Sequence, residues 1–396
     1  MQIAHKIQLK HNNKQGTYFS KACGTSRFAW NWALAEWEKQ YQEGKKPTGM
    51  GLKKEFNAIK KKDFPWTKEV TKYAAQQPFL DLQDAYKRFW KKLSQKPKFK
   101  KKGKCKDSFY VGGDQLKIKG KKIWIPNLGF VRMSENLRFE GKINSAVFSR
   151  TADRWFVSIQ VDTNKEFKKC GFENSVGVDL GINKMVVLSN KMAMESPKPL
   201  KKNLRKLARF QRKLKKKKFK SSNYNKQKIK VAKVHARVAC IRKDTLHKTT
   251  TYLTKNYQEI GIENLNVKGM VKNHKLARAI SDIGFGEFRR QLEYKADIRG
   301  NLVKIHDRFF PSSKTCSCCK KLKEDLTLKD RIFTCKWCNL EIDRDLNSAI
   351  NLDVRPARPE LTSAEMTAMK KSVFPVFATS IAEPGNKRQI CVSRFA

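Results

Sequence analysis

The stretch "CSCCKKLKEDLTLKDRIFTCKWC" separates Cys316 from Cys319 by two residues and Cys335 from Cys338 by two more, with fifteen residues between the pairs. No other feature limits the local fold so tightly. Four thiolates at this spacing bring two tight turns together around one tetrahedral Zn²⁺, with "LTLKDRIFT" as the hairpin or loop between them. Four sulfur ligands leave no open position for water, so the expected role is structural. Cys318 has the wrong spacing to Cys316 for a knuckle and reads as a bystander. Within seven residues of Cys338 the chain reaches "DRDLNSAINL", a helical pattern with Leu346, Ala349 and Ile350 at core spacing.

The surroundings of this knuckle are strongly basic. Lys and Arg number 87 against 36 Asp and Glu, a formal net charge of +51, which a folded molecule tolerates best beside a polyanion, and nucleic acid is the natural one. An anionic membrane surface is disfavoured. The start "MQIAHKIQLKHNNK" lacks the apolar core of a signal peptide, and the longest apolar run, near "VFPVFATSIA", is short and contains a proline. Of ten cysteines, five crowd into residues 316–338 while Cys23, Cys105, Cys170, Cys240 and Cys391 are scattered, a distribution that favours metal over a disulfide framework. The expectation is an intracellular protein of two or three domains.

Period changes outline the organisation. "IAHKIQLK" reads as a strand, followed by a helical block from Tyr18 to about Tyr41 with Phe28, Trp32, Ala35 and Tyr41 near one face. "MGLKKEFNAIKKK" and "VTKYAAQQPFLDLQDAYKRFWKKL" extend that block, and Pro78 either kinks the second helix or starts a new one. After the basic, Pro- and Gly-punctuated linker 94–106, the period becomes two in "LKIKGKKIWIP", "FVRMSE", "INSAVFSRT" and "RWFVSIQVD". One strand cannot make a sheet alone, so the first is expected to join these later ones across a helical insertion. "SVGVDLGINKMVVLSN" reads as a buried hairpin. From Lys201 to Lys243 there is no acidic residue, and Leu204, Leu207, Phe210, Leu214 and then Ile229, Ala232, Ala236, Cys240 define two amphipathic helices with a break at "SSNYN". The tail from about Arg355 is expected to be irregular, given Pro356, Pro359, Pro375 and Pro384.

Acidic residues are scarce, which makes their placement informative. Asp179 and Glu263 each end an apolar strand, in "VGVDLG" and "IGIENL", and Asp345 lies at the mouth of a helix. A lone carboxylate at a strand end is usually a turn former or a cap. Where buried strands surface, however, α/β sheets place ligand sites. Three converging carboxylates repel unless hard cations bind between them, and two Mg²⁺ ions would then support hydrolysis of a phosphodiester.

In their order, "VGVDLGINK", "IGIENL" and "DRDLNSAIN", with the four-cysteine knuckle before the last, resemble the three motifs of the RuvC-like nuclease domain in TnpB proteins, RNA-guided endonucleases of bacterial and archaeal insertion sequences related to type V CRISPR effectors. The resemblance covers nearly the whole chain. It implies a multidomain α/β protein: an RNase H-like (RuvC) core, a split β-barrel-like wedge domain, a helical recognition insertion and a four-cysteine zinc knuckle that binds target nucleic acid. By motif, the wedge would comprise residues 1–14 and 107–170, the recognition domain 15–106, the nuclease 171–310 and 343–355, the zinc-binding insert 311–342, and the tail 356–396. Asp179, Glu263 and Asp345 would be catalytic and hold magnesium. Asp343 also lies in "DRD", but the family's carboxylate is the one two residues before an Asn, here Asn347.

The same resemblance implies a guide RNA with its scaffold, a double-stranded DNA target, no membrane partner, one protein per RNA, and a prokaryotic cytoplasmic, nucleoid-associated setting. The acid-free helices, with Lys201, Lys202, Arg205, Arg209, Arg212 and Lys216, would line the channel for RNA and heteroduplex, adding affinity with little sequence choice. Lys72, Gln76 and Gln77 would read a short transposon-adjacent motif, since Gln pairs with adenine edges and Lys reaches guanine. Trp30, Trp32, Trp37, Phe89 and Trp90 read as core rather than base-stacking residues. His306 reads as a structural or surface histidine near the site. The rivals are a guide-independent transposase and a non-cleaving RNA-guided DNA-binding protein.

Overall fold

The computed structural model describes residues 2–163, 174–327, 330–354 and 376–377. It divides into two compact units, Met1–Lys165 and Glu166–Ala396. Apart from Val376–Phe377, the expected irregular tail lies outside the described residues. No helix among the described residues is long and apolar enough to cross a membrane.

In the first unit, strand β1 (Gln2–Lys10) pairs antiparallel with β7 (Arg154–Asp162), Ile7 opposite Val157, and with β5 (Gly129–Met133), Leu9 opposite Met133. With β2 (Ser108–Gly112), β3 (Lys117–Lys119), β4 (Lys122–Ile125) and β6 (Lys142–Thr151) it forms a seven-stranded antiparallel sheet in the order β2-β6-β7-β1-β5-β4-β3. The first strand thus reaches the later ones across three helices, α1 (Asn13–Gln42), α2 (Gly49–Asp63) and α3 (Lys72–Trp90).

Helix α1 starts earlier than its apolar pattern suggests, because Asn12 and Gln15 close a reciprocal capping box. Its first half packs on the sheet, with Phe19 stacked on Phe148 at 5.8 Å. Its second half joins α2 and α3 around Phe56, Phe79 and Leu82. The buried stripe there is Ala29, Trp30, Ala33, Leu34 and Trp37, not the face expected: Ala35 is exposed and Tyr41 is 66% exposed. Small alanines allow the close helix approach, while Phe28 and Trp32 reach the core from its flank. Of the tryptophans and phenylalanines expected in the core, Trp90 is the exception at 56% exposed. Helix α3 runs unbroken through Pro78, which is buried and loses only the bond to the Ala74 carbonyl.

The second unit is a mixed sheet in the order β12-β11-β8-β9-β10-β15. Strands β8 (Ser175–Asp179), β11 (Glu259–Glu263) and β12 (Leu302–His306) are parallel; β9 (Lys184–Leu188) and β10 (Ala193–Glu195) continue as antiparallel partners, and β15 (Val376–Phe377) adds in parallel to β10. One face, carrying Val176, Val178, Ile260 and Ile262, packs with Leu246 and Leu253 of α5 (Ser222–Asn256) and Phe288 and Leu292 of α8 (Phe285–Arg299). Helix α4 (Pro199–Lys215) packs on α5. The break between them falls at Lys216–Lys220, and "SSNYN" instead opens α5, with Ser221 as its cap. Two short helices follow, α6 (Val267–Met270) and α7 (Ala277–Ile283); the small hairpin β13 (Ile332–Thr334) and β14 (Glu341–Asp343) leads into α9 (Arg344–Asn351).

The opposite face of the sheet receives α9. Gly177 and Gly261 are register partners on β8 and β11, two residues before Asp179 and Glu263 and therefore on the same face as those carboxylates. A Cβ on Gly177 would run into the Ala349 carbonyl and the Asp353 amide, and one on Gly261 into the Leu352 carbonyl. These are backbone atoms that cannot swing aside. Gly177→Ala should therefore destabilise the fold by at least the ~1–3 kcal/mol typical of an overpacked core. Gly286→Ala, where nothing lies within 4 Å, serves as the control in denaturant melts; equal melts for the two variants would refute the close approach.

Candidate functional site

The sheet brings two of the three expected carboxylates together directly. Asp179 ends β8 and Glu263 ends β11, one register step beyond the Val178–Ile262 pair of neighbouring parallel strands. The third arrives on α9. Asp343 is the cap of that helix: its Oδ1 accepts from the amides of Asp345 (3.0 Å) and Leu346 (3.1 Å), and its Oδ2 meets Lys184 Nζ at 3.2 Å. Asp345, in the first turn, is left facing Arg344 Nη2 at 3.3 Å. The two acids of "DRD" thus do different work.

Two serines join the carboxylates. Ser312 donates to Glu263 Oε1, and Ser348 Oγ lies 3.0 Å from both Asp179 Oδ1 and Ser312 Oγ. Having one proton, Ser348 donates to one of these at a time. Burial first, then the negative charges of Glu263 and Asp345, pushes the Asp179 carboxyl up to about 8, against the pull of Ser348 and Arg344. A buried acid kept protonated by desolvation and by its like-charged neighbours is a group short of a cation. Hard carboxylate oxygens suit magnesium, so the donor set fits such ions, although the described residues hold no carboxylate cluster as tight as that of the cysteines.

The four cysteine sulfurs lie within 4.8 Å of one another, with Cys316–Cys338 at 3.6 Å and Cys319–Cys335 at 3.5 Å. Tetrahedral Zn–S bonds of ~2.3 Å require sulfurs roughly 3.8 Å apart, so the knuckle fits one zinc ion. Cys318 is exposed. The knuckle is bolted to α9: Asn347 Nδ2 donates to the Thr315 carbonyl (2.7 Å) and its Oδ1 accepts from the Ser317 amide (2.9 Å), while Asn351 Nδ2 donates to the carbonyls of Ser312 (2.9 Å) and Thr315 (2.7 Å). His306 Nε2 lies 2.9 Å from the Leu352 carbonyl. A carbonyl only accepts, so Nε2 carries the proton, and burial lowers the ring's pKa. The histidine holds the end of α9 to the sheet.

Sequence reasoning does not mark Ser312, Ser348, Asn347 or Asn351 as site residues. Ser348 sits one helical turn beyond Asp345, a signal that is present, and the mid-strand glycines of "VGVD" and "IGIE" announce a close backbone approach. The expected nucleic-acid residues are distributed over both units. Lys201, Lys202, Arg205, Arg209, Arg212 and Lys216 are all exposed, on and just past α4, with Leu207 buried beneath. In the first unit, Lys72 is exposed and 3.4 Å from Asp114, whereas Gln76 and Gln77 are half-buried and Gln77 donates to Asp81 at 3.0 Å.

The chain is similar to several known proteins. Residues 158–274 match a family described as "Probable transposase", residues 285–352 the "Cas12f1-like, TNB domain", and residues 1–46 a "Helix-turn-helix domain", although the last region is here one strand and one long helix. InsQ of Escherichia coli (strain K12), provisionally named an RNA-guided DNA endonuclease, is 32% identical over 366 residues, covering 88% of this chain and 91% of its own. A Streptomyces pristinaespiralis protein with the same provisional name is 32% identical over 355 residues, covering 88% of each. The Cas12f1 chain of a Cas12f1–sgRNA–target DNA complex shares the fold, with a TM-score of 0.52 at 15% identity over 86% of this chain and 83% of that one. The glycine-seated helix, the sheet-end carboxylates and the knuckle thus occur in a chain that, by its identity to these relatives over most of their length, belongs to the TnpB family.

Proposed function

We propose that this protein is an RNA-guided DNA endonuclease of a transposable element, acting in a prokaryotic cytoplasm on DNA that carries a short transposon-adjacent motif. The observation that supports it most is the meeting of Asp179 with Glu263 and Asp345, three acids from distant segments, inside a chain of net charge +51. The names of the relatives agree with a nuclease guided by RNA. In this reading one protein binds one guide RNA with its scaffold, base pairing selects the target strand, and Lys72, Gln76 and Gln77 read the adjacent motif on the duplex.

Asp179, Glu263 and Asp345 would hold two magnesium ions, and the cysteines one zinc ion. Bound there, the magnesium ions supply a lowered water pKa and charge stabilisation at the leaving oxygen. The remaining work belongs to the chain. Ser348 and Ser312 orient Asp179 and Glu263, Arg344 stands beside Asp345, and the exposed bases of α4 hold phosphates near the sheet ends.

Asp179→Ala should abolish cutting while leaving DNA binding within about twofold, measured on the RNA-bound protein; persistent cutting would remove the assignment. Stripping the RNA should stop cutting as completely, whereas unchanged cutting would indicate a guide-independent enzyme. The raised pKa of Asp179 gives a second expectation. Between the ordinary carboxylate range and about pH 8 the ion-free protein keeps a proton that the unfolded chain has lost, so this group's contribution to stability falls as pH rises through that window. Magnesium binding at pH 7 should then release close to one proton, seen by titration calorimetry in buffers of different ionisation enthalpy, and none in Asp179→Asn. Neutralising Lys201, Lys202, Arg205, Arg209 and Arg212 with Gln should weaken nucleic-acid binding for all sequences and flatten its salt dependence by about 0.7–0.9 for each phosphate no longer neutralised; an unchanged slope would return α4 to a solvated face.

A further inference from the structure

Between β12 and the knuckle the chain makes a five-residue loop, 307–311, whose two ends are fixed at the same residue, Glu263, one through the backbone ladder and one through the side chain. His306 is the register partner of Glu263, and Ser312 donates to the Glu263 side chain. The loop is also braced from within. The Phe309 amide donates to Asp307 Oδ1 at 2.8 Å and the Phe310 amide to the Asp307 carbonyl at 3.2 Å. Phe310 stacks on the His306 ring with centroids 5.1 Å apart, and that ring is held by the Leu352 carbonyl. The apex residue, Phe309, is turned outward and is 86% exposed, more than any other large apolar side chain described.

A single exposed phenylalanine is commonplace on a protein surface. This one differs in where it is fixed. From either anchor to residue 309 is three chain steps, no more than roughly 11 Å, so the ring stands within one or two nucleotides of a phosphate placed at the carboxylates. Lys304 and Arg308 are exposed on the same segment, with Asp307 the acid among them engaged in bracing the turn. An apolar ring with a cation beside it and another on the same segment is complementary to an unpaired base with its phosphates, because every base offers a stacking face and the backbone supplies the charge. A protein partner would instead be expected to bury several apolar neighbours; beside Phe309 the apolar Phe310, 38% exposed, is already committed to the His306 ring, and Arg308 on the other side is charged.

The geometry points to Phe309 as a stacking platform for one unpaired base of the DNA strand being cut, positioning the adjacent phosphate at Asp179, Glu263 and Asp345. This rests on the nuclease reading above. It makes Phe309 a substrate-positioning residue and gives the site a reason to favour single-stranded over paired DNA, whose bases are already stacked.

The test uses the full-length, RNA-bound Asp179→Ala protein and target DNA carrying 2-aminopurine moved one position at a time through the strand near the cut. Fluorescence should be quenched at one or two adjacent positions with Phe309, not with Phe309→Ala, and again with Phe309→Trp. In the otherwise native protein, Phe309→Ala should raise KM for cutting roughly tenfold, the scale of one lost stack, with kcat little changed. An abasic residue at the quenched position should erase the difference between Phe309 and Ala. Melting should not change, since the ring is exposed. Identical quenching for Phe, Ala and Trp at every position, or an equal loss on abasic DNA, would overturn the platform while leaving the nuclease reading intact. Cutting that survives Asp179→Ala would overturn the carboxylate assignment, and the quenching pattern would still decide the fate of Phe309.

Discussion

The contact of α9 with the sheet is where the site is made or lost. A helix backbone ordinarily stands off a β-sheet by the depth of two layers of side chains. Here Gly177 and Gly261, side by side on β8 and β11, remove one of those layers, and the carbonyls of Ala349 and Leu352 occupy the space. The gain is reach. Asp345 has only a short aspartate side chain, and at an ordinary helix–sheet separation it could not share a field with Asp179 and Glu263. The cost is intolerance: a single methyl group at either glycine has no soft neighbour to displace.

Bringing the acids together creates an electrostatic repulsion that the fold relieves only in part. Hydroxyls from Ser312 and Ser348, and the Arg344 guanidinium, offset some of it, yet burial together with the charges of Glu263 and Asp345 still pushes the Asp179 carboxyl up to about 8. If stability alone governed these residues, an amide or a serine at position 179 would serve better, because burying like charges is expensive without compensation. A site left under such strain is a site organised for a cationic guest.

Much of the frame is legible from residues. The alternation of "RWFVSIQVD" and the 3.6 period of α4 each reflect a face that must be dry, and such faces leave a periodic trace. The four-cysteine spacing is legible because coordination geometry admits few alternatives. The buried face of α1 departs from expectation because bulky aromatics dominate the pattern, whereas Ala29 and Ala33 set the closest packing. The serine bridge is hidden for a different reason: Ser312 lies 36 residues before Ser348, and only the completed sheet brings the two hydroxyls together. Hydrogen bonds between distant polar residues leave no period to read, so the acids are visible in the sequence and their supports are not.

The same distinction explains the place of the knuckle in the chain. A turn clasped by four clustered cysteines needs no large core of its own, and this one borrows part of its core from the sheet: Cys316, Cys335 and Phe333 pack with Val187, Leu346 and Ala349. Its first turn is then fastened to α9 by Asn347 and Asn351 and reaches Glu263 through Ser312. Consequently the short run from Cys338 to Asp345 is a structural necessity. A longer connection would leave α9 free to drift from the turn that positions its serine partner, and the carboxylates on β11 and α9 would no longer answer to a common frame. The knuckle therefore contributes to the nuclease core as a brace.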